Sequence, residues 1–402
     1  MSEHAPLSFS ASERWINCPA SYQEGLRTPP FEGNEYTRAG TAAHWLAEQT
    51  IREVVTWRSS TETVRDFMNS MEIPPELRGP DQTEHLDAVS QYVEYVHRLH
   101  DGGCEIHLEQ RVQFGPSDLK LFGTADCIAI NREQGELRVI DYKHGRGYTV
   151  AAEHNAQLLS YLAAVLDSHS LDLAGVSRYF IEIVQPRARD ASPRGGFSEY
   201  EVPFEEAWDH MQAMIEARKQ ALGQHPPYQV GKWCRWCPAL AQCGEVRRTV
   251  GDGLKLDEHN REDLIKGLDI VELAEHWCER VRGVAHEYLD KGGDLPGWAL
   301  YPKRAIRKWV DASDATNVLL GCGLPQETIF EERLLTPAKV QKLVDRDTWQ
   351  SVEDAVVVAQ SSGTTLSRED PSREELGGEA ARIAKAAARV QAMDLLNNVR
   401  KS

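Results

Sequence analysis

One short, ordered series carries most of the chemistry: a carboxylate at Asp126, a second at Asp141 with Lys143 two residues on, and then Gln157 and Tyr161 four residues apart. Strand alternation in Leu137–Lys143 puts Leu137, Val139, Asp141 and Lys143 on one face, and Arg138, Ile140 and Tyr142 on the other. An apolar start that ends in Asp and Lys on the same face describes a strand whose tip leaves the core and enters a site. Asp126 lies in a second β-rich segment, Leu121–Asn131, that can lay its carboxylate alongside. Two carboxylates on neighbouring strands can hold a hard divalent cation through oxygen. A lysine beside them can orient a water or offset charge developing on a phosphate. Asp-x-Lys alone is common; the order of the whole set is what points to a site.

A second chemical signal follows in Cys234-x2-Cys237-x5-Cys243. Three thiolates at that spacing can converge on one centre but leave a tetrahedral set one ligand short, and on spacing alone Zn²⁺ and a [4Fe–4S] cluster are both open. Cys18, far upstream, offers the fourth sulfur; taken alone it reads as a small buried hydrophobe. The N-terminus, Met1-Ser-Glu-His-Ala-Pro6, has neither a basic n-region nor an apolar h-region, so a cytoplasmic protein is expected. In that setting clustered cysteines point to metal or redox chemistry rather than disulfides.

The series Asp126, Asp141-x-Lys143, Gln157-x3-Tyr161 resembles the PD-(D/E)XK nuclease superfamily. It is most similar to the RecB-type branch, which includes the CRISPR-associated iron–sulfur nucleases and the AddB nuclease domain. Gly40-x3-His44 stands where that branch carries a metal-binding histidine. Glu109 stands where it often shows a glutamate before the Gly-x-x-Asp strand; a second-metal or supporting group and an exposed strand carboxylate are equal readings of it. Asp141 sits where many relatives carry Glu. The split of Cys18 from Cys234, Cys237 and Cys243 resembles the iron–sulfur members, which implies a [4Fe–4S] cluster (Zn²⁺ the alternative) clasping the two ends of a nuclease domain. The chain as a whole resembles phage and prophage RecB-like proteins.

The resemblance implies an α/β fold with a PD-(D/E)XK core, a central mixed sheet flanked by helices. It also implies a metal-dependent DNA exonuclease of phage or bacterial recombination and repair, acting on DNA ends or single strands. His44, Asp126, Asp141 and the Tyr142 carbonyl would hold Mg²⁺ or Mn²⁺, and Lys143 would position the water. Gln157 and Tyr161 would support Lys143 and the DNA strand. A catalytically silent nuclease fold that binds DNA or scaffolds partners is the rival expectation.

The elements needed to position these groups are legible in outline. Gly40–Ile51 reads as a helix capped by Thr41 that puts His44, Ala47, Glu48 and Ile51 on one face. Thr83–His100 is amphipathic. Cys104–Phe114 alternates, with Ile106, Leu108, Gln110 and Val112 opposite Glu105, His107, Glu109 and Arg111. Glu153–Asp167 is helical, and Ser177–Gln185 is a strand apolar on both faces, hence covered on two sides. The loop that follows carries Arg187, Arg189 and Arg194, which either grip a phosphate backbone or are simply solvated. Pro203–Leu222 reads as a helix whose Trp208, Met211, Met214 and Ile215 belong to the core.

The nuclease domain is expected over residues 1–250 and a mainly helical extension over 251–402. The extension holds a long helix at Arg261–Lys291, a strand-rich stretch at Pro296–Val310, helices at Leu334–Asp345 and Ser351–Ala359, and a polar linker at Ser361–Gly378. An Ala-rich helix at Glu379–Arg400 closes it and could meet a partner. The net charge of −17 argues against a protein that coats nucleic acid generally, but leaves room for a local basic groove. No apolar run is long enough to span a bilayer. A phage or host recombination partner and self-association both remain open.

Overall fold

The computed structural model describes residues 7–28, 33–56, 64, 67–68, 71–79, 81–116, 119, 121–146, 149–168, 171–188, 196–257, 259–302, 306–310, 312–330, 335–341, 343–344, 346–360 and 364–368. The chain divides into two compact units, Met1–Arg78 with Gln82–Trp277, and Gly79–Asp81 with Cys278–Ser402.

The first unit is built on a five-stranded mixed sheet in the order β1 (Glu105–Phe114), β2 (Leu121–Asn131), β3 (Glu136–Tyr142), β4 (Arg178–Val184), β5 (Phe197–Val202). All pairings are antiparallel except β3–β4, which is parallel and therefore needs a crossover. Helix α5 (Ala156–Asp167) lies in that crossover. Helices also precede and follow the sheet: α1 (Ser12–Asn17), α2 (Ala20–Leu26), α3 (Glu35–Thr56), α4 (Gln82–Asp101), α6 (Phe204–Ala221) and α7 (Gly244–Gly253).

Each face of the sheet buries its own apolar cluster. Leu137, Val139, Ile181 and Ile183 pack with Trp15 of α1, Leu158 and Leu162 of α5, and Met211 and Met214 of α6. Ile140, Tyr142, Cys127 and Ala129 pack with Ala43, Leu46 and Ile51 of α3 and with Val89, Val93 and Val96 of α4. The two-sided covering expected of Ser177–Gln185 is what β4 has.

Alternation along β1 does not run straight. Ile106 and Leu108 belong to the cluster of α3 and α4, whereas Val112 and Phe114 belong to the one beneath α5. The switch falls at Glu109, whose φ of 47° lies in the left-handed region. The ladder to β2 keeps one register on both sides, Leu108 opposite Cys127 and Gln110 opposite Ala125, so no residue is inserted. The strand twists through one strained residue instead. The straight alternation read from the sequence is corrected at this point.

Other expectations also shift. α3 begins at Glu35, so Thr41 is inside the helix and caps nothing; its hydroxyl donates to the Thr37 carbonyl at 3.1 Å. In α6 the buried stripe is Ala207, Met211, Met214, Ala217 and Ala221, while Trp208 and Ile215 face out at 53% and 45% exposure, because they lie off that stripe.

The second unit carries the C-terminal part of the long helix α8 (Arg261–Asp290), followed by α9 (Ala312–Gly321), α10 (Gln326–Ile329), α11 (Pro337–Val340) and α12 (Arg346–Val356). Its core joins Trp309, Leu319, Ile329, Val340, Trp349 and Val352, and the Trp309 indole N–H donates to the Leu335 carbonyl at 2.7 Å. Strand β6 (Trp298–Pro302) pairs with β9 (Thr364–Arg368), and β7 (Ile306–Trp309) with β8 (Val357–Gln360). The expected helix at 351–359 therefore turns into a strand at Val357, and part of the expected linker is β9. Both segments are rich in Val and Thr, which suit a strand once a partner strand is beside them. The expected helix at 379–400 lies outside the described residues. No helix among those described is long and apolar enough to cross a membrane.

Candidate metal and phosphate site

The middle of β2, the end of β3, a residue of β1 and one helix from each side of the sheet converge on a single cluster. His44 comes from α3, Glu109 from the kink in β1, Asp126 from β2, Asp141 and Lys143 from the end of β3, and Gln157 and Tyr161 from α5. Among the described residues, His44, Glu109 and Asp126 are three groups whose ligand atoms all lie within 4.8 Å of one another. His44 Nδ1 stands 3.4 Å from Asp126 Oδ2, and the Tyr142 peptide N–H donates to the same oxygen at 2.8 Å.

Asp141 stands beside this trio in a second group. The Gln157 amide donates to Asp141 Oδ1 at 2.8 Å, and Lys143 Nζ donates to Gln157 Oε1 at 3.1 Å. Lys143 Nζ is also 2.8 Å from Asp141 Oδ2, an oxygen that is buried and receives no hydrogen bond of good geometry. Because Asp141 and Lys143 share a face of β3 with Leu137 and Val139, they meet α5, as the alternation predicts. Asn155 caps α5 by accepting from the Leu158 N–H, which fixes where Gln157 starts.

Tyr161 is placed by a glycine. A Cβ on Gly123 would lie 2.8 Å from Tyr161 Cε1 and 2.9 Å from Phe9 Cδ2, so the strand must be bare there for both rings to pack. Phe9 and Tyr161 meet edge to face, 5.6 Å between centroids. The Tyr142 ring packs between Tyr92, on which it stacks at 4.7 Å, and the His44 imidazole, 5.2 Å away between centroids.

The electrostatics are those of too many carboxylates in a small, partly buried volume. Burial opposes a charge on His44, but Asp126, with Asp141 and Glu109, outweighs it and raises the imidazole to about 9. Burial and then the Asp126 charge push Glu109 up to about 7. Burial resists ionisation of Asp126, yet His44, Lys143 and the Tyr142 N–H hold it below the usual carboxylate range. Asp141 is raised, by burial first and by Asp126 as well, with Lys143 opposing. Burial works against the Lys143 charge, but the Asp141 carboxylate keeps it raised. One imidazole nitrogen, several carboxylate oxygens and a buried oxygen lacking a hydrogen bond make a donor set that fits a divalent cation.

Cys18, Cys234, Cys237 and Cys243 line one cavity, together with Arg14, Trp233 and Leu240. Cys18 ends α1, Cys234 sits in a 3-10 turn (Lys232–Trp236), and Cys243 precedes α7. Burial pushes the thiols of Cys18 and Cys237 up, and that of Cys234 to about 11. Cys18 is more than two hundred residues from the other three along the chain, and the fold brings it to them.

Of the three arginines expected on the loop after β4, Arg187 is turned inward, and Arg189 and Arg194 lie outside the described residues. Around Arg187 gather Glu84, His85, His144 and Arg146, none of which sequence reasoning singled out. With Arg187 they come from three separate segments and carry no shared spacing, so no local signal could have found them.

Over residues 4–374 the sequence matches a family described as "Protein of unknown function (DUF2800)", and the chain belongs to that family. A solved structure described as "Crystal structure of SSO0001" is 14% identical, with 50% of this chain and 95% of that one covered, at a TM-score of 0.23.

Proposed function

We propose that the protein is a metal-dependent DNA nuclease of RecB-like type, probing DNA ends or single strands as an exonuclease. The observation that carries this reading is the convergence of His44, Glu109 and Asp126 on one point, with the Lys143–Asp141–Gln157 group beside it. Mg²⁺ or Mn²⁺ held by His44, Asp126 and Glu109, with Asp141 at its flank, would supply a Lewis acid and a nucleophilic water near neutral pH. Glu109 is thereby raised from a supporting group to a ligand.

The protein's own groups have distinct tasks. Lys143 is held charged by Asp141 and aimed by Gln157, so it can orient the attacking water and offset charge on the phosphate as it forms. Gln157 fixes Asp141 and Lys143 through both ends of one amide. Tyr161 closes the wall behind Gln157 and packs against Gly123 and Phe9. Hydrolysis in line would leave a 5′-phosphate, as the resemblance implies.

The four cysteines line one cavity, and the split of Cys18 from the other three, as the resemblance implies, favours a [4Fe–4S] cluster, with Zn²⁺ the alternative. Such a centre would clasp α1 to the segment after α6. Anaerobically purified protein is expected to contain iron and sulfide, both lost in Cys234→Ala.

The deciding experiment is cleavage of end-labelled DNA with Mn²⁺ or Mg²⁺. Asp126→Ala and Lys143→Ala, shown folded by circular dichroism, are expected to lose activity by at least about a hundredfold. Full activity in either variant refutes the mechanism. A folded wild type that binds DNA but never cuts it with either metal favours the silent scaffold instead.

A further inference from the structure

A second cluster of charged and imidazole groups lies just past Lys143, and the chemistry above uses none of it. Glu84 and His85 stand in the first turn of α4, His144 and Arg146 on the chain leaving β3, and Arg187 on the chain leaving β4. The two oxygens of Glu84 accept from different guanidiniums, Oε2 from Arg146 Nη2 and Oε1 from Arg187 Nε at 3.1 Å. Arg187 Nη1 also donates to the His144 carbonyl at 3.2 Å and lies 3.3 Å from His85 Nδ1. The His85 and His144 rings stack at 4.9 Å with facing nitrogens 2.6 Å apart, and His144 Nδ1 is 2.8 Å from the Tyr142 hydroxyl.

The cations and the anion are held differently. Arg187 is fixed by a backbone carbonyl and an imidazole pair of which His144 is buried, and its side chain is 9% exposed. Glu84 hangs from the solvent side of the helix turn at 46% exposure, and Arg146 at 37%. Arg146 and Arg187 share the one Glu84 carboxylate, in a chain of net charge −17. A carboxylate that bridges two guanidiniums through separate oxygens matches two non-bridging oxygens of a phosphodiester in bite and charge. An exposed carboxylate in such a pair is held weakly and exchanges readily.

We propose that Arg146 and Arg187 form a binding subsite for a backbone phosphate of the nucleic-acid strand, beside the reacting phosphate at Lys143, and that Glu84 occupies it until the strand displaces it. This rests on the nuclease reading and deepens it. The subsite contacts phosphate only, so it grips any sequence. It also explains how an acidic protein holds nucleic acid: the positive charge is local and kept covered.

The test is binding of a labelled single-stranded oligonucleotide to the full chain in EDTA over a salt series, with cleavage in Mn²⁺ measured alongside. Arg146→Ala and Arg187→Ala should each weaken binding about fivefold or more, whatever the sequence, and lower the salt slope by about 0.7. Glu84→Gln should tighten binding severalfold, since it vacates the subsite and removes a repulsive charge. Should Arg187→Ala fail to fold, the exposed Arg146→Ala and Glu84→Gln decide the matter. If the wild type binds and cleaves while both of these keep its affinity and slope, the subsite is wrong and the nuclease reading stands. A wild type that neither binds nor cleaves overturns both.

Discussion

Replacing Glu109 by glycine should do two opposite things: strengthen the metal-free fold and abolish the metal site. The carboxylate points at His44 and Asp126 only because its backbone is held at a φ of 47°. For an L-residue that conformation costs about 1–2 kcal/mol, and glycine adopts it without penalty. Glycine's greater freedom in the unfolded chain gives back about 0.5–1 kcal/mol. Removing a half-buried carboxylate that repels Asp126 acts in the stabilising direction as well. The net expectation is a gain of about 0.5–1 kcal/mol, or about 2 °C in Tm for a unit of this size. The neighbouring Gln110 sits in ordinary register opposite Ala125, so Gln110→Gly should lose about 1 kcal/mol instead. Differential scanning fluorimetry in EDTA and in Mn²⁺ reads both effects. At a hundred times its Kd the metal should stabilise the wild type by about 2.7 kcal/mol and leave Glu109→Gly unmoved. If Glu109→Gly is destabilised as Gln110→Gly is, and still responds to Mn²⁺ like the wild type, the strain and the ligand role are both refuted.

Two further outcomes follow from particular contacts. Gly123→Ala places a methyl 2.8 Å from Tyr161 and 2.9 Å from Phe9, both in a packed cluster, so chemical denaturation should show a loss of about 1–3 kcal/mol. A loss below about 0.3 kcal/mol would mean that the rings move aside freely. His210, bonded to Ser160 Oγ at 2.9 Å, is lowered to about 4 by burial, with Glu206 opposing. The unfolded chain therefore takes up this proton near pH 6.5 and the folded one only near 4. The stability His210 contributes is complete above about pH 6.5 and lost as pH falls toward 4, at most about 3 kcal/mol. Urea unfolding of His210→Gln should show that much less acid sensitivity over this window; identical pH profiles would place the charge elsewhere.

The sequence by itself determined the groups that sit close along the chain. Asp141 and Lys143 share a face because a strand repeats every two residues, and Gln157 and Tyr161 because a helix returns after about four. The parallel β3–β4 pairing then needs a crossover, so α5 falls over that face. The Asp-x-Lys pair was legible for this reason and Asp126 by its place in the ordered series, while the α/β architecture with a mixed sheet flanked by helices was what the resemblance implied. Tertiary structure alone decided the rest. Glu109 joins His44 and Asp126 through a single backbone angle that leaves no mark on composition or period. Trp208 and Ile215 are outside because α6 is rotated so that Met211 and Met214 meet the sheet, a choice made by the surface it packs on. Val357–Gln360 and Thr364–Arg368 became strands because partners were there to pair with them. Glu84, His144, Arg146 and Arg187 come together from segments far apart in the chain. Charge and hydrogen bonding act through space, and a sequence pattern records only what is near along the chain.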